Sequence, residues 1–272
     1  MPFAPAGTIP DSLAVALYRA RERLGGFRDR VRWHPDVDST NDIALALAPM
    51  EDCEGTVIVA DAQRKGRGRR GHTWFSPPGA GIYASAVLRL PSKLASFLPL
   101  AAGVAVAEGV ETATGLYAGV KWPNDVYVPA PRGLGRKLAG VLVEASGSDP
   151  SHTRVVVGFG VNVLSSMFPP DVADRGTTIE TELGRVPDRG LVLAECLVAL
   201  WRRYRDLHED RTMEVAAAWT ARAGGSLGRR VEWESAGRTE TGLAVGIDTV
   251  GALLVRTEAG MRRVISGEVR WS

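Results

Sequence analysis

Residues 64–70 constrain the fold more than any other stretch, because they hold five fixed positive charges and only two glycines between them. Like charges at this spacing repel one another, and the glycines remove most steric limits on the backbone. The stretch, called the cationic loop below, therefore predicts a mobile segment that an anion would order. Residues 56–60, just before it, predict a buried strand. A rigid strand that leads into a cationic loop is typical of a phosphate or carboxylate site.

Length, charge and cysteine content limit the remaining classes. A chain of 272 residues fits one large domain and one small one. Its net charge of +2 argues against nucleic-acid binding through overall basicity. Cys53 and Cys196 have no CxxC or Cys/His spacing, which argues against a zinc ribbon and suits a reducing cytoplasm. The most apolar segment, 98–107, is shorter than the ~20 residues of a bilayer span, and no signal peptide is predicted.

Hydrophobic periodicity predicts alternating strands and helices, followed by a change of texture near residue 229. The predicted helices cover 8–24, 43–48, 96–114, 188–208 and 213–223. The predicted longer strands cover 31–37, 81–90, 137–145 and 153–163, and an extended segment broken by proline covers 120–128. Five short strands follow, at 229–234, 239–247, 252–257, 262–265 and 268–271. Short strands at this spacing indicate a small barrel.

Two common sequence motifs occur in the chain, but the residues that follow them do not predict the helix that each site requires. Residues 66–71 read GxGxxG, but Pro77 and Pro78 follow where a dinucleotide site needs a helix. Residues 224–228 read GxSxG, but a strand follows where a nucleophile elbow needs a helix. We therefore expect neither site, and interpret 224–228 as a hinge between domains.

Several polar residues leave two interpretations open. Ser39 precedes a short helix and fits either an N-cap or a ligand contact. Lys137 fits either a solvated strand end or a cation beside a ligand, and Lys121 with Asp125 fits a surface ion pair. The cationic loop also fits a nucleic-acid-binding module, in which Trp74 would stack on a base.

In combination, these segments resemble the biotin protein ligases over residues 30–165. The resemblance rests on Ser39-Thr40-Asn41, Gln63, Gly66-Arg67-Gly68-Arg69-Arg70-Gly71, Trp74, Lys121-Trp122-Pro123-Asn124-Asp125, Lys137-Leu138-Ala139-Gly140 through Glu144, and Gly158-Phe159-Gly160-Val161-Asn162-Val163. The chain departs from the family at His72, where a further basic residue is common, and in the turn at 129–136. The residues before Val31 are too few for the DNA-binding domain of some members, so the resemblance implies ligase activity without DNA binding. No membrane partner is expected, because the most apolar segment is too short to span a bilayer.

The resemblance implies an α+β fold, with a biotin/lipoate ligase-like catalytic domain built on a mixed β-sheet over 1–225 and a small SH3-like β-barrel over 226–272. It implies that ATP activates biotin as biotinyl-5′-AMP, with Mg²⁺, and that a lysine of a biotin carboxyl carrier domain, as in acetyl-CoA carboxylase, then accepts biotin. A lipoate–protein ligase is the alternative enzyme, and we expect it to lack both the cationic loop and the 121–125 motif.

The resemblance also implies roles for single residues. The implied catalytic residues are Arg67, Lys137 and Asp125. The implied biotin-binding residues are Ser39, Thr40, Asn41, Gln63, Gly66, Arg67, Gly68, Arg69, Lys137, Gly140 and Gly160. The implied ATP- or adenylate-binding residues are Arg67, Arg69, Arg70, His72, Trp74, Lys121, Asn124, Lys137 and Asn162. For Asp125 two roles stay open: binding of Mg²⁺, or acceptance of the proton from the incoming amine.

Overall fold

The computed structural model describes residues 6–131, 133–148, 151–165, 175–235 and 237–271. The α-helices are α1 (Asp11–Ala20), α2 (Thr40–Leu47), α3 (Leu98–Thr114), α4 (Ile179–Leu183), α5 (Arg189–His208) and α6 (Thr212–Arg222). The first seven strands are β1 (Val31–His34), β2 (Val57–Ala60), β3 (Gly81–Pro91), β4 (Gly119–Lys121), β5 (Asp125–Val128), β6 (Arg136–Ser148) and β7 (His152–Asn162). The last five are β8 (Arg230–Ser235), β9 (Arg238–Ile247), β10 (Leu253–Thr257), β11 (Gly260–Val264) and β12 (Val269–Trp271).

The first seven strands form one mixed sheet in the order β1-β2-β3-β7-β6-β5-β4. Strands β1 and β2 are parallel, and every other neighbouring pair is antiparallel. The remaining five strands form a second, wholly antiparallel sheet in the order β11-β10-β9-β8-β12. The predicted α+β class, its mixed sheet and its five C-terminal strands are confirmed. The domain boundary at 225/226 stays a prediction.

Helices pack on both faces of the mixed sheet, against side chains that alternate along each strand. On one face, Ile58 and Val87 pack against Ile43 and Ala44 of α2. Their chain neighbours point the other way, into the large core that contains α3 and α5. This follows from the two-residue period of a pleated strand. The polar first turn of α2 is thereby held against the sheet.

Helix α3 is the centre of the large core. The helical segment Ser92–Thr114 is longer than the predicted apolar stretch, and by length and composition it could cross a membrane, but 72% of its apolar window is buried inside the protein. It packs against α5, and the predicted tolerance of proline in its first turn is confirmed at Pro99. The segment therefore behaves as a core helix here.

Several element ends differ from their predictions for identifiable reasons. Helix α1 ends at Ala20, before the glycines at 25 and 26, which lie instead in a short 3₁₀ turn. A Cβ at Gly25 would lie 1.8 Å from the indole of Trp201, so these glycines make room for that ring. Strand β1 stops at His34, just before Pro35. The predicted 120–128 segment is the hairpin β4–β5, with a cis peptide before Pro123 at its turn.

Hydrogen bonds connect residues beside the mixed sheet with the turn between β9 and β10. Trp122 Nε1 donates to the carbonyl of Gly251 at 3.0 Å, and the Ser96 hydroxyl donates to the carbonyl of Val250 at 2.9 Å. Trp122 follows strand β4 in the mixed sheet, so the C-terminal sheet is docked beside the β4–β5 hairpin. That hairpin carries several of the candidate site residues.

Two buried glycines of α3 offer a matched test of this packing. A Cβ at Gly109 would lie 2.5 Å from the backbone of Cys196 in α5, whereas a Cβ at Gly103 would meet nothing within 4 Å. We expect Gly109→Ala to lower the free energy of unfolding by about 1–3 kcal/mol because the helices must separate. Gly103→Ala should raise it by about 0.5–1 kcal/mol through helix propensity. Urea denaturation measures both, and equal effects would contradict the close helix contact.

Candidate active site

A cavity of about 600 Å³ lies over the middle of strands β6 and β7. Its walls are the cationic loop, the start of α2, the β4–β5 hairpin and residues 267–269 of the C-terminal sheet. The cavity gathers sixteen of the predicted site residues: Ser39, Thr40, Asn41, Gln63, Arg67, Gly68, Arg69, Arg70, His72, Trp74, Lys121, Asn124, Asp125, Lys137, Gly140 and Gly160. Gly66 and Asn162 do not line it.

A pair of glycines on neighbouring strands forms the floor. Gly140 of β6 is in register with Gly160 of β7, and the indole of Trp74 lies over both. A Cβ at Gly160 would stand 2.3 Å from Trp74 Nε1, and one at Gly140 would stand 3.1 Å from the same ring. Because the floor has no side chains here, a flat ring can approach the backbone closely. Lys137 Nζ stands 5.5 Å from the centre of the Trp74 ring, within cation–π range.

Uncharged polar side chains line one end of the cavity. The backbone N–H and the hydroxyl of Thr40 both donate to Gln63 Oε1, at 2.9 and 3.1 Å. Gln63 Nε2 in turn donates to the Ser76 hydroxyl at 2.9 Å. Ser39 precedes the helix but makes no capping hydrogen bond with its side chain. The simple N-cap interpretation of Ser39 therefore lacks its expected contact.

Ser85 of β3 contacts Thr40 and Asn41 at this polar end, and it was not predicted from the sequence as a site residue. Its hydroxyl lies 2.7 Å from the Thr40 hydroxyl and donates to Asn41 Oδ1 at 2.5 Å, and its side chain is fully buried. Asn41 also covers Gly158, where a Cβ would stand 2.0 Å from Asn41 Oδ1. The available signal was a single serine among the mainly apolar residues 82–88 of β3.

Arg67 is held by two carboxylates. Its Nη2 lies 2.7 Å from Asp42 Oδ1 and 2.9 Å from Glu144 Oε2. Glu144 Oε2 also accepts a hydrogen bond from Asn41 Nδ2 at 2.7 Å, so one carboxylate joins α2, β6 and the cationic loop. Arg64 and Lys65 pair in the same way with Asp38. The repulsion expected within the loop is thus offset by carboxylates, and its mobility stays a prediction.

Lysine side chains surround a single carboxylate at the other end of the cavity. Asp125 Oδ1 lies 2.6 Å from Lys137 Nζ, and Asp125 Oδ2 lies 3.2 Å from Lys121 Nζ. Burial by itself would raise the pKa of Asp125, but the two ammonium groups outweigh it and hold that pKa below its ordinary value. The ion pair predicted between Lys121 and Asp125 is present, and Lys137 joins it rather than standing as a solvated strand end.

Asn124 and Arg69 extend this cationic end. Asn124 Nδ2 donates to the carbonyl of Val141 at 2.7 Å, which fixes the amide over β6. Its Oδ1 accepts from Arg69 Nη1 at 3.3 Å. Burial, reinforced by neighbouring Arg70, lowers the pKa of Arg69 below the ordinary arginine value. Arg69 forms no ion pair with any described residue, and a half-buried guanidinium in that situation favours an anionic ligand.

Gly66 and Asn162 act on the backbone around the cavity. A Cβ at Gly66 would stand 2.3 Å from the carbonyl of Trp74, and the Gly66 carbonyl accepts a hydrogen bond from Trp74 N–H at 2.8 Å. Asn162 Nδ2 donates to the carbonyls of Lys137 and Thr177, at 3.5 and 3.2 Å. Both residues therefore position residues that line the cavity.

Neither rejected motif forms a site in the structure. After Gly71 the chain continues without a helix to β3, as predicted. Ser226, in the GxSxG match, is fully buried, and its hydroxyl donates to the carbonyl of Ala223 at 2.9 Å, with the carbonyl of Val120 at 3.2 Å. Within the described ranges, no three His, Cys, Asp or Glu side chains cluster as metal ligands.

The cavity thus joins a hydrogen-bonding end, where Asp42 and Glu144 neutralise Arg67, to a cationic end across a flat floor. Its ligand should combine a neutral polar head with an anionic part, and cations converging beside Asp125 would stabilise negative charge that develops there.

Known proteins of similar sequence belong to the family that the motifs resemble. The model of the "Biotin/lipoate A/B protein ligase family" matches residues 33–162, and that of the "Biotin protein ligase C terminal domain" matches residues 226–270. The bifunctional ligase/repressor BirA of Bacillus spizizenii is 34% identical over 237 residues, covering 86% of this chain and 71% of that protein. The biotin–[acetyl-CoA-carboxylase] ligase of Paracoccus denitrificans is 34% identical over 243 residues, covering 85% of this chain and 96% of that protein.

A solved structure is similar over nearly the whole described chain. The biotin protein ligase of Aquifex aeolicus, determined in complex with biotin and ATP, superposes with a TM-score of 0.73 at 32% identity. The match covers 90% of this chain and 99% of that one.

The charge arrangement at Asp125 predicts a pH-dependent contribution to stability. Its folded-state pKa is depressed below the unfolded value of ~3.9, so its stabilising effect is present above that pH and is lost as the pH falls through the folded pKa. We expect Asp125→Asn to lower the free energy of unfolding by about 1–3 kcal/mol at pH 7, and by progressively less below pH ~4.

Urea denaturation at a series of pH values measures this effect. Asp29→Asn is the matched control, because Asp29 forms an exposed, solvent-screened ion pair with Arg21 and its loss should change stability little. A loss at Asp125 that stayed constant from neutral pH into acid would contradict the assigned coupling to the two lysines.

Proposed function

This chain belongs to the biotin protein ligase family, and we propose that it activates biotin with ATP and transfers it to a lysine of a carrier protein. The family match confirms the resemblance found in the motifs. The observation that carries the proposal is the single cavity that joins a hydrogen-bonding polar end, a flat glycine floor and a cationic end. Biotin has a neutral ureido head, a fused ring system and a carboxylate tail, in that order.

The polar end suits the ureido head group. Thr40 and Gln63 offer donors and acceptors whose orientation is fixed by the hydrogen bonds between them and Ser76. The Gly140–Gly160 floor suits the ring system, since neither strand has a side chain at this point. The Trp74 indole lies over the same glycines, so biotin would bind beside it or displace it.

The cationic end suits the meeting of a carboxylate and a triphosphate. In the first step a biotin carboxylate oxygen attacks the α-phosphorus of ATP, the bond to the β-phosphate breaks, and pyrophosphate leaves. The main obstacle is repulsion between two anions, which fixed cations lower. Arg67 and Lys137 are the residues we assign to both anions, with Arg69 and Lys121 on the phosphates. Support comes from their convergence on one cavity.

Asp125 acts in this proposal by positioning the two lysines. A carboxylate whose pKa is held below its ordinary value is a poor acceptor for the proton of an amine. Its two oxygens are both hydrogen-bonded to ammonium groups, so the described residues do not fit a resident Mg²⁺ site there. We assign Mg²⁺ to the ATP substrate, as the counter-ion of its phosphates.

In the second step the amine of an acceptor lysine attacks the acyl carbon of biotinyl-5′-AMP, loses a proton and displaces AMP. The acceptor we propose is a biotin carboxyl carrier domain of a biotin-dependent carboxylase, as the name of the Paracoccus denitrificans relative suggests. A cytoplasmic location is proposed with it, from the two unpaired cysteines. The alternative nucleic-acid-binding module gains no support, because Arg64, Lys65 and Arg67 pair with carboxylates of the protein itself.

The substrate can be tested by ATP–pyrophosphate exchange. We expect exchange that depends on biotin and stays at background with lipoate, because the polar end matches a ureido group that lipoate lacks. Exchange with lipoate but not biotin would overturn the proposal in favour of a lipoate–protein ligase. Salt-sensitive RNA or DNA binding without any exchange would favour the nucleic-acid-binding alternative.

The role of Lys137 can be tested by removing its charge. Lys137→Ala should slow biotin-dependent exchange by about 10²–10³-fold, because it removes a cation placed at the developing charge. Transfer from supplied biotinyl-5′-AMP should slow less. Lys93→Ala is the matched control, since Lys93 is exposed and pairs with Asp210. Normal exchange in Lys137→Ala would exclude the assigned role.

A further inference from the structure

We propose that Arg175 binds the β- and γ-phosphates of ATP and the pyrophosphate that leaves. This inference rests on the proposed function and assigns one more residue to the same reaction. Arg175 lines the cavity, although it lies outside every motif that carried the resemblance.

The backbone fixes Arg175 beside Lys137. Lys137 N–H donates to the carbonyl of Arg175 at 2.8 Å, and Thr177 N–H donates to the carbonyl of Lys137 at 2.9 Å. Gly176 forms a parallel bridge with Lys137 between these two bonds. Residues 175–177 therefore add to the start of β6 like a short strand. Two cations from segments far apart in sequence reach the same cavity from adjacent backbone positions.

Most of the other cations that line the cavity have carboxylate partners among the described residues. Arg67 has two carboxylate partners, and Lys121 and Lys137 share Asp125. Arg70 stands 4.0 Å from Glu268. Among the described residues Arg175 forms no ion pair, and it lines the same cavity as these cations. Its guanidinium therefore adds positive charge at a site that must accept a polyanion.

Exposure distinguishes the role of Arg175 from that of Lys137. Lys137 is held over the floor against Asp125 and Trp74, where the α-phosphate must meet the carboxylate. Arg175 is exposed to solvent, as expected for a group that holds the end of the triphosphate and releases a product to water. A guanidinium presents a planar pair of N–H donors that matches two phosphate oxygens. Arg175 should therefore contribute to binding of ATP and pyrophosphate, and little to binding of AMP.

Equilibrium binding tests this assignment without any turnover. Isothermal titration of wild type and Arg175→Ala with a non-hydrolysable ATP analogue, with pyrophosphate and with AMP gives three affinities. We expect about tenfold weaker binding of the analogue and of pyrophosphate, as for the loss of a charge-assisted hydrogen bond, and an unchanged affinity for AMP. Arg175→Lys should recover part of the loss, because it restores the charge without the paired donors.

Kinetics add a second, independent readout. In Arg175→Ala the KM for ATP should rise about tenfold and inhibition by pyrophosphate should weaken, with the KM for biotin and transfer from supplied biotinyl-5′-AMP unchanged. Arg154→Ala is the matched control, because Arg154 is an exposed arginine of β7 that does not line the cavity. It should behave as wild type in every assay.

The outcomes separate this inference from the function on which it rests. Absence of biotin-dependent exchange in the wild type would refute the proposed function. The affinities for the ATP analogue, pyrophosphate and AMP would still test the role of Arg175. Equal weakening for AMP and pyrophosphate, or no change for either, would overturn the assignment. So would a rise in the KM for biotin as large as that for ATP.

Discussion

Positive charges must stand close together around the cavity before any anionic ligand arrives, and the rest of the site depends on meeting that constraint. Two like charges 4 Å apart repel by about 4 kcal/mol at the effective dielectric near a protein surface. The protein offsets this with its own carboxylates. Asp125 lies between Lys121 and Lys137, and Asp42 with Glu144 holds Arg67. An anionic ligand then replaces these carboxylates as the partner of cations that already lie close together.

The sheet provides the fixed frame on which these charges are arranged. Burial of Ile43 and Ala44 against β2 and β3 fixes helix α2, so the side chain of Asn41 lies over Gly158. The register of β6 with β7 brings Gly140 opposite Gly160. Hydrophobic burial is non-directional and holds α2 against the sheet. Strand register is specific to one residue and sets the glycine pair of the floor. The chemistry of the cavity is therefore set by packing outside it.

Much of the fold could be predicted because its signals are local. Helix α3, strand β3 and the five C-terminal strands lie close to their predicted positions, since each shows its own periodicity. The end of α1 could not be predicted in this way, because the glycines that suggested a cap instead accommodate Trp201, an indole on a distant helix. The short helix α4 also escaped prediction, since its five residues are too few to show a period.

The sequence by itself determined that a cationic loop follows a strand and cannot lead into a helix, because proline and glycine act on their own neighbourhood. It also predicted a set of motif residues, sixteen of which line one cavity. Only the tertiary structure decided how their charges are neutralised. Arg67 and Glu144 are 77 positions apart, and Lys137 N–H donates to the carbonyl of Arg175 from a distant segment. Such partners are chosen by strand register and core packing, which involve the whole chain at once, and no local pattern records them.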